Sequence, residues 1–191
     1  MSLVLASGSP RRKQLLEMLG LPFRVVAPGV DETRESSEPP EAYVVRLARE
    51  KARVVAARER GELVLAADTT VVLRGEIFEK PSTRAEAEAM LGRLQGRTHR
   101  VMTAVAVALD GRLEHALDVT EVTFRRLSAD AIAAYVATGE PMDKAGAYAI
   151  QGKGAALVEG IRGDFFGVMG LPLRLALELL ERFGLPYRFT R

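Results

Sequence analysis

The sequence predicts an α/β protein. Two observations carry that expectation: short apolar runs alternate with amphipathic helical stretches from the N-terminus onward, and a long antiparallel hairpin of alternating apolar residues turns at Asp110-Gly111. A third is size. With 191 residues and 48% hydrophobic content, the chain can bury a substantial core, as one domain over 1–191 or as two lobes sharing a sheet.

Composition excludes several kinds of chemistry. There is no Cys, so disulfides, thiolate zinc sites and a cysteine nucleophile are ruled out, and His99 and His115 alone cannot make a histidine-rich metal site. A metal would have to be a hard cation held by carboxylates and phosphate. No apolar run approaches the roughly 18 residues of a membrane span and the start lacks a basic leader, so a cytoplasmic protein is expected. Net charge is +2 with basic residues spread along the chain and 6% aromatics, so no nucleic-acid partner is expected. Asn is absent and Gln occurs only at Gln14, Gln95 and Gln151, a scarcity of thermolabile amides that suits a hot-growing source or a biased genome.

Leu3-Val4-Leu5 reads as a first strand and Ala6-Ser7-Gly8-Ser9-Pro10-Arg11-Arg12 as the turn into a helix containing Leu15, Leu16 and Leu19. Ser9 suits the N-cap and Pro10 the first helical position, which puts Arg11 and Arg12 in the first turn. Cations at a helix start oppose the macrodipole, a placement that a bound anion with several oxygens would offset. The alternative is an ordinary turn with solvated arginines. Gly20 reads as the helix end, Pro22 to Val26 as a short strand, and Asp31-Glu32 as solvated carboxylates on a polar loop.

Pro39-Pro40 opens a helix to about Arg60 with an apolar stripe at Val44, Leu47, Ala48 and Val55. Lys51 falls in that stripe and must snorkel or meet an anion. Leu63 to Ala67 reads as a buried strand interrupted by Asp68-Thr69-Thr70, with Val71-Val72-Leu73 resuming it. An acid between apolar runs is costly to bury unpaired, which makes Asp68 the leading catalytic or metal-binding carboxylate, a turn or cap role being the alternative. A hairpin at Arg74-Gly75-Glu76 can carry Lys80 back towards it.

Thr83 with Glu86 marks a capping box for a helix through Ala87, Met90, Leu91 and Leu94, ended by Gly96. His99 enters the long hairpin, where a single structural hydrogen bond is the favoured role. Ser128 caps a helix with Ile132, Tyr135 and Val136. The stretch from Gly139 to Gly154 is too glycine-rich for a helix and too interrupted for a strand, and it reads as a binding loop carrying Lys144 and Gln151. Ala155 to Ile161 reads as a strand, Pro172 opens a last helix capped near Gly184, and Tyr187-Arg188-Phe189 reads as a terminal strand. The phosphate loop of nucleotide-binding ATPases, the dinucleotide fingerprint and the nucleophile elbow are all absent from the sequence.

Taken in order, Ser7-Gly8-Ser9-Pro10-Arg11-Arg12, Asp31-Glu32, Lys51-Ala52, Ala67-Asp68-Thr69, Lys80-Pro81, Gly96-Arg97-Thr98-His99, Asp143 to Tyr148, Ile150-Gln151-Gly152 and Gly170-Leu171-Pro172-Leu173 resemble the Maf family of nucleoside triphosphate pyrophosphatases. The resemblance runs nearly end to end. It implies a long mixed twisted sheet flanked by helices, two lobes with a cleft between them as in inosine triphosphate pyrophosphatase, and metal-dependent cleavage of a nucleoside triphosphate to monophosphate and diphosphate. By the same resemblance Asp68 is the proton acceptor, Glu32 a metal or water partner, and Ser9, Arg12, Lys51 and Lys80 polyphosphate ligands, with Mg or Mn as the cation on Glu32 and Asp68. Arg11, Thr69 and Gln151 stand at the family's discriminating positions and look like the branch that acts on dTTP and UTP. A Gln amide can accept from N3–H and donate to O4 of either base. Departures are Ala149, where a glycine is usual, and Gly167, where an asparagine is common. A 7-methyl-GTP pyrophosphatase of the same family and a non-enzymatic regulator of septum formation are the alternatives, and a homodimer is left open.

Overall fold

The computed structural model describes residues 2–189. In chain order it contains β1 (Leu3–Leu5), α1 (Pro10–Met18), β2 (Phe23–Val25), α2 (Pro40–Arg58), β3 (Leu63–Leu73), β4 (Glu76–Phe78), α3 (Arg84–Leu94), β5 (Thr98–Leu109), β6 (Arg112–Phe124) and α4 (Ala129–Ala137). Three short 3-10 helices follow (Glu140–Asp143, Ala145–Ala147 and Lys153–Leu157), then β7 (Val158–Arg162), α5 (Phe165–Met169) and α6 (Leu173–Arg182).

The strands form one seven-stranded sheet in the order β2-β1-β3-β5-β6-β7, with β4 paired to β3 off that path. β1 runs parallel to β2 and β3, with Leu3 opposite Phe23 and Leu63, whereas β4 on β3 and β7 on β6 are antiparallel. The sheet is therefore mixed, as the α/β reading expects. Two tight turns explain the hairpins. Arg74 and Gly75 both have positive φ, as do Asp110 and Gly111, and two such residues in succession give the twist that antiparallel neighbours need.

The chain divides into two compact units. The first comprises the segment up to Asp68, Thr103–Asp118 and the segment from Gly170. Its interior is built from β1, from Leu15 and Leu16 of α1, from Val44, Leu47, Ala48, Ala52 and Val55 of α2, and from Leu173, Ala176, Leu179 and Leu180 of α6, all buried. The second comprises Thr69–Met102 and Val119–Met169. Its core joins Val71, Leu73 and Phe78 of the β3–β4 hairpin to Ala87, Leu91 and Leu94 of α3, and to Ile132, Tyr135 and Val136 of α4. Burying a Leu or Phe side chain is worth about 1.5–3 kcal/mol, so these stripes fix which helical faces point inward.

The structure corrects four expectations and adds one element. β3 is continuous through Asp68-Thr69-Thr70, because the acid is paired and needs no turn to reach water. The glycine-rich stretch after Gly139 is folded into 3-10 turns. Ala155 to Leu157 belongs to the third of these and the strand begins only at Val158, alanine being a weak strand former. Tyr187–Phe189 forms no strand; no strand among the described residues pairs with it and Phe189 is 92% exposed. α5 escapes sequence reading because five residues show no period; Asp164 starts it by accepting the Gly167 N–H at 3.0 Å.

Candidate active site

α1 begins as expected, with Ser9 at the N-cap and Pro10 at the first helical position. The Ser9 hydroxyl, however, makes no capping hydrogen bond. The buried Ser7 takes over the turn: its Oγ accepts from the Ser9 N–H at 3.1 Å and from Arg12 Nη1 at 3.2 Å. Arg12 also donates from Nε to the Gly170 carbonyl at 2.8 Å, so its guanidinium is aimed by two groups of its own unit. No acidic residue occupies the first turn of α1. Burial pulls the Arg12 pKa down, and the charge of Asp68 pulls it back up.

The centre of the first unit is Lys51. α2 presents it at the end of the stripe Val44-Leu47-Lys51, and it is 5% exposed. Its ammonium stands 2.6 Å from Asp68 Oδ1 and 2.6 Å from Glu32 Oε1, so the two carboxylate oxygens lie within twice that distance of each other. Asp68 is itself 7% exposed. Burial pushes its carboxyl above the usual range, against the lowering pull of Lys51 and Arg12, while the neighbouring Glu32 adds to the rise. A carboxylate whose proton affinity is raised, yet which stays within reach of cations, is suited to accepting a proton from water.

Glu32 is not a merely solvated loop acid. Its side chain is half exposed, and the backbone around it is held by α2. Tyr43 Oη donates to the Glu32 carbonyl at 2.9 Å, and Arg46 Nη2 to the Thr33 carbonyl at 3.2 Å. Arg46 also grips the buried Glu38 with two bonds, at 2.7 and 2.8 Å, and this keeps the Glu38 carboxyl below the ordinary range. Asp31 closes a local turn, with Oδ1 accepting the Thr33 N–H at 2.9 Å. Sequence reading missed Tyr43, Arg46 and Glu38. The available signal was an acid just before a helix whose first turns carry Tyr and Arg three residues apart.

The remaining candidates except Arg11 lie in the second unit. Thr69 follows Asp68 on β3, half-buried, and Lys80 is exposed just beyond β4. Lys144 donates to the Glu140 carbonyl at 2.9 Å and pairs with Asp143, an engagement that its sequence context did not reveal. Gln151 is exposed on the turn before the third 3-10 helix. Arg11 is half-buried on α1 of the first unit. His99 is buried and shares a 2.8 Å hydrogen bond between Nε2 and Tyr148 Oη, so it has the structural role expected of it.

Among the described residues no three His, Asp or Glu side chains converge to hold a metal ion. Glu32 and Asp68 still fit a hard cation in one specific way. Magnesium-type sites commonly use one or two carboxylates and complete their shell with substrate phosphates and water, and Glu32 and Asp68 present two such carboxylates to one ammonium.

The first unit of this α/β protein thus holds a buried carboxylate bridged by lysine to a second acid, with an arginine-bearing helix start in the same unit. The chain belongs to the Maf family: the model described as Maf-like protein matches residues 2–183. It is 58% identical over 185 residues to the dTTP/UTP pyrophosphatase of Myxococcus xanthus (strain DK1622), covering 96% of this chain and 93% of the relative. The protein of that name from Symbiobacterium thermophilum is 52% identical, with 96% and 95% covered, and that from Salmonella typhimurium 55%, with 96% and 93% covered. Among solved structures, the Staphylococcus aureus Ham1 protein aligns over 96% of this chain and 97% of its own, with a TM-score of 0.49 and 18% identity. No helix among the described residues is long and apolar enough to cross a membrane.

Proposed function

We propose that this protein is a nucleoside triphosphate pyrophosphatase that hydrolyses dTTP and UTP to the monophosphate and diphosphate, removing nucleotides from the cytoplasmic pool. The observation that supports it most is the bridging of Asp68 and Glu32 by the buried Lys51. The relatives' shared name supports the substrate class.

In this reading, water attacks the anhydride between the α and β phosphates and Asp68 accepts its proton. Glu32 orients the water from the opposite side of Lys51. Arg12, Ser9 and Lys51 bind polyphosphate oxygens, Lys80 and Lys144 are further phosphate ligands, and charge-assisted contacts of this kind are each worth roughly 1.5–3 kcal/mol. Glu32 and Asp68 would hold a divalent cation of the magnesium or manganese kind, which supplies neutralisation of phosphate charge when bound. Gln151 reads the base edge, and Thr69 and Arg11 are further specificity residues.

The test is incubation of the purified protein with a panel of normal and modified nucleoside triphosphates, with magnesium, manganese or chelator, and identification of the products. Monophosphate and diphosphate from dTTP and UTP in equal amounts are expected. Orthophosphate release or inertness towards every nucleotide would overturn the reading.

A further inference from the structure

Glu140 lies outside every role given above, yet its carboxylate is among the most heavily bonded in the second unit. Tyr135 Oη donates to Oε1 at 2.8 Å, the Gly154 N–H donates to the same oxygen at 2.9 Å, and the Lys153 N–H donates to Oε2 at 2.9 Å. Lys153 and Gly154 open the third 3-10 helix, so a side chain from thirteen residues upstream satisfies donors that a helix start leaves open. Tyr135 Oη, held by Glu140, accepts the Ala149 N–H at 3.2 Å. Both ends of the segment 149–154 therefore hang on one Tyr–Glu pair. Gln151 sits at its middle, exposed, with its amide making no hydrogen bond among the described residues.

The glycines of this segment are explained by the same contact. A Cβ at Gly152 would collide with the Glu140 carboxylate, and one at Gly154 would stand 2.6 Å from the Ala149 carbonyl oxygen and 2.7 Å from Tyr135 Oη. Gly152 and Gly154 serve close packing on Glu140 and Tyr135, so the stretch read as a binding loop is a tight cradle. A backbone pinned on both sides fixes where the Gln151 side chain starts and so the direction from which its amide meets a base edge, which narrows the poses open to uracil and cytosine.

We infer that Glu140 is a positioning residue for base selection: through Tyr135 and the N–H groups of Lys153 and Gly154 it fixes the backbone that presents Gln151 to a pyrimidine edge. The inference rests on the proposed pyrophosphatase activity. Burial raises the Glu140 pKa, but the two backbone donors and Tyr135 outweigh it, so the group is held as a carboxylate at neutral pH. Charge-assisted N–H bonds of that kind are roughly twice as strong as neutral ones.

The experiment compares wild type, Glu140→Gln and Tyr135→Phe on three substrates: UTP, CTP and ribose 5-triphosphate, which has no base. Glu140→Gln should lower the ratio of kcat/KM for UTP over CTP by about tenfold while leaving kcat/KM for ribose 5-triphosphate unchanged. Tyr135→Phe should lower the same ratio by a smaller factor, and it carries the test if Glu140→Gln fails to fold. An equal loss on all three substrates indicates a structural role only and overturns the inference, as does a wild-type preference that both variants keep. A wild type that turns over no nucleotide overturns the pyrophosphatase reading and this inference together, so the two failures are told apart by the wild-type arm.

Discussion

Lys51 Nζ donates to Asp68 Oδ1 at 2.6 Å, and both side chains are almost wholly buried. A salt bridge in such a place is weak evidence for stability, because removing two charges from water costs several kcal/mol apiece. It is better understood as a site held ready: Asp68 is kept inside the sheet with its proton affinity raised, and Lys51 allows it to be there.

Asp68→Asn should abolish hydrolysis while leaving the fold and nucleotide binding largely intact. The amide is nearly isosteric and can still accept from Lys51, but it cannot take a proton from water. Steady-state rates alongside nucleotide binding by calorimetry would check this, and turnover near wild type would remove Asp68 from the role.

Lys51→Met should be strongly destabilising, by about 3–5 kcal/mol, since it leaves a carboxylate buried without its cation. Adding Asp68→Asn to it should recover much of that loss. Urea unfolding of the two single variants and the double variant would measure the coupling; additive losses would show that the two groups do not act as a pair.

His99 should make the protein acid-sensitive. Burial holds its pKa down at about 4, Nδ1 has no hydrogen-bond partner among the described residues, and Phe124 and Tyr148 pack edge-on against the ring. The unfolded chain binds this proton near pH 6.5 and the folded chain only near 4, so stability from this group is full above about 6.5 and is lost as pH falls towards 4. The loss is roughly 3 kcal/mol at most. Unfolding free energies of wild type and His99→Phe at pH 7.5, 5.5 and 4.5 should converge differently, with a shallower decline in the variant. Parallel declines would show that other groups set the acid limit.

Gln151→Ala should leave stability unchanged, because the side chain is exposed, and should shrink the preference for UTP and dTTP over CTP. Competition assays with paired nucleotides give the ratio directly. Unchanged selectivity would mean that other residues read the base.

Much of this was legible in the sequence because it is decided within one turn or one element. Ser9-Pro10, Thr83 with Glu86, and Ser128 mark helix starts, and at Thr83 and Ser128 the side chains do accept the expected backbone N–H. The stripe of α2 declares its buried face, Lys51 included, and Arg74-Gly75 and Asp110-Gly111 declare their turns. Local propensity, capping and periodicity are short-range effects, and the chain records them in neighbouring letters.

Tertiary structure decided what depends on partners far along the chain. Asp68 reads as a break in a strand until Lys51, seventeen residues away, makes a continuous β3 affordable. Glu32 reads as a solvated acid until α2 anchors its loop through Tyr43 and Arg46. The run Gly152-Lys153-Gly154 reads as part of a binding loop until the Glu140 carboxylate is found packed against it. In each case an acidic group takes its place because another stretch of chain supplies its hydrogen bond or countercharge, and that supply is a property of the folded arrangement alone.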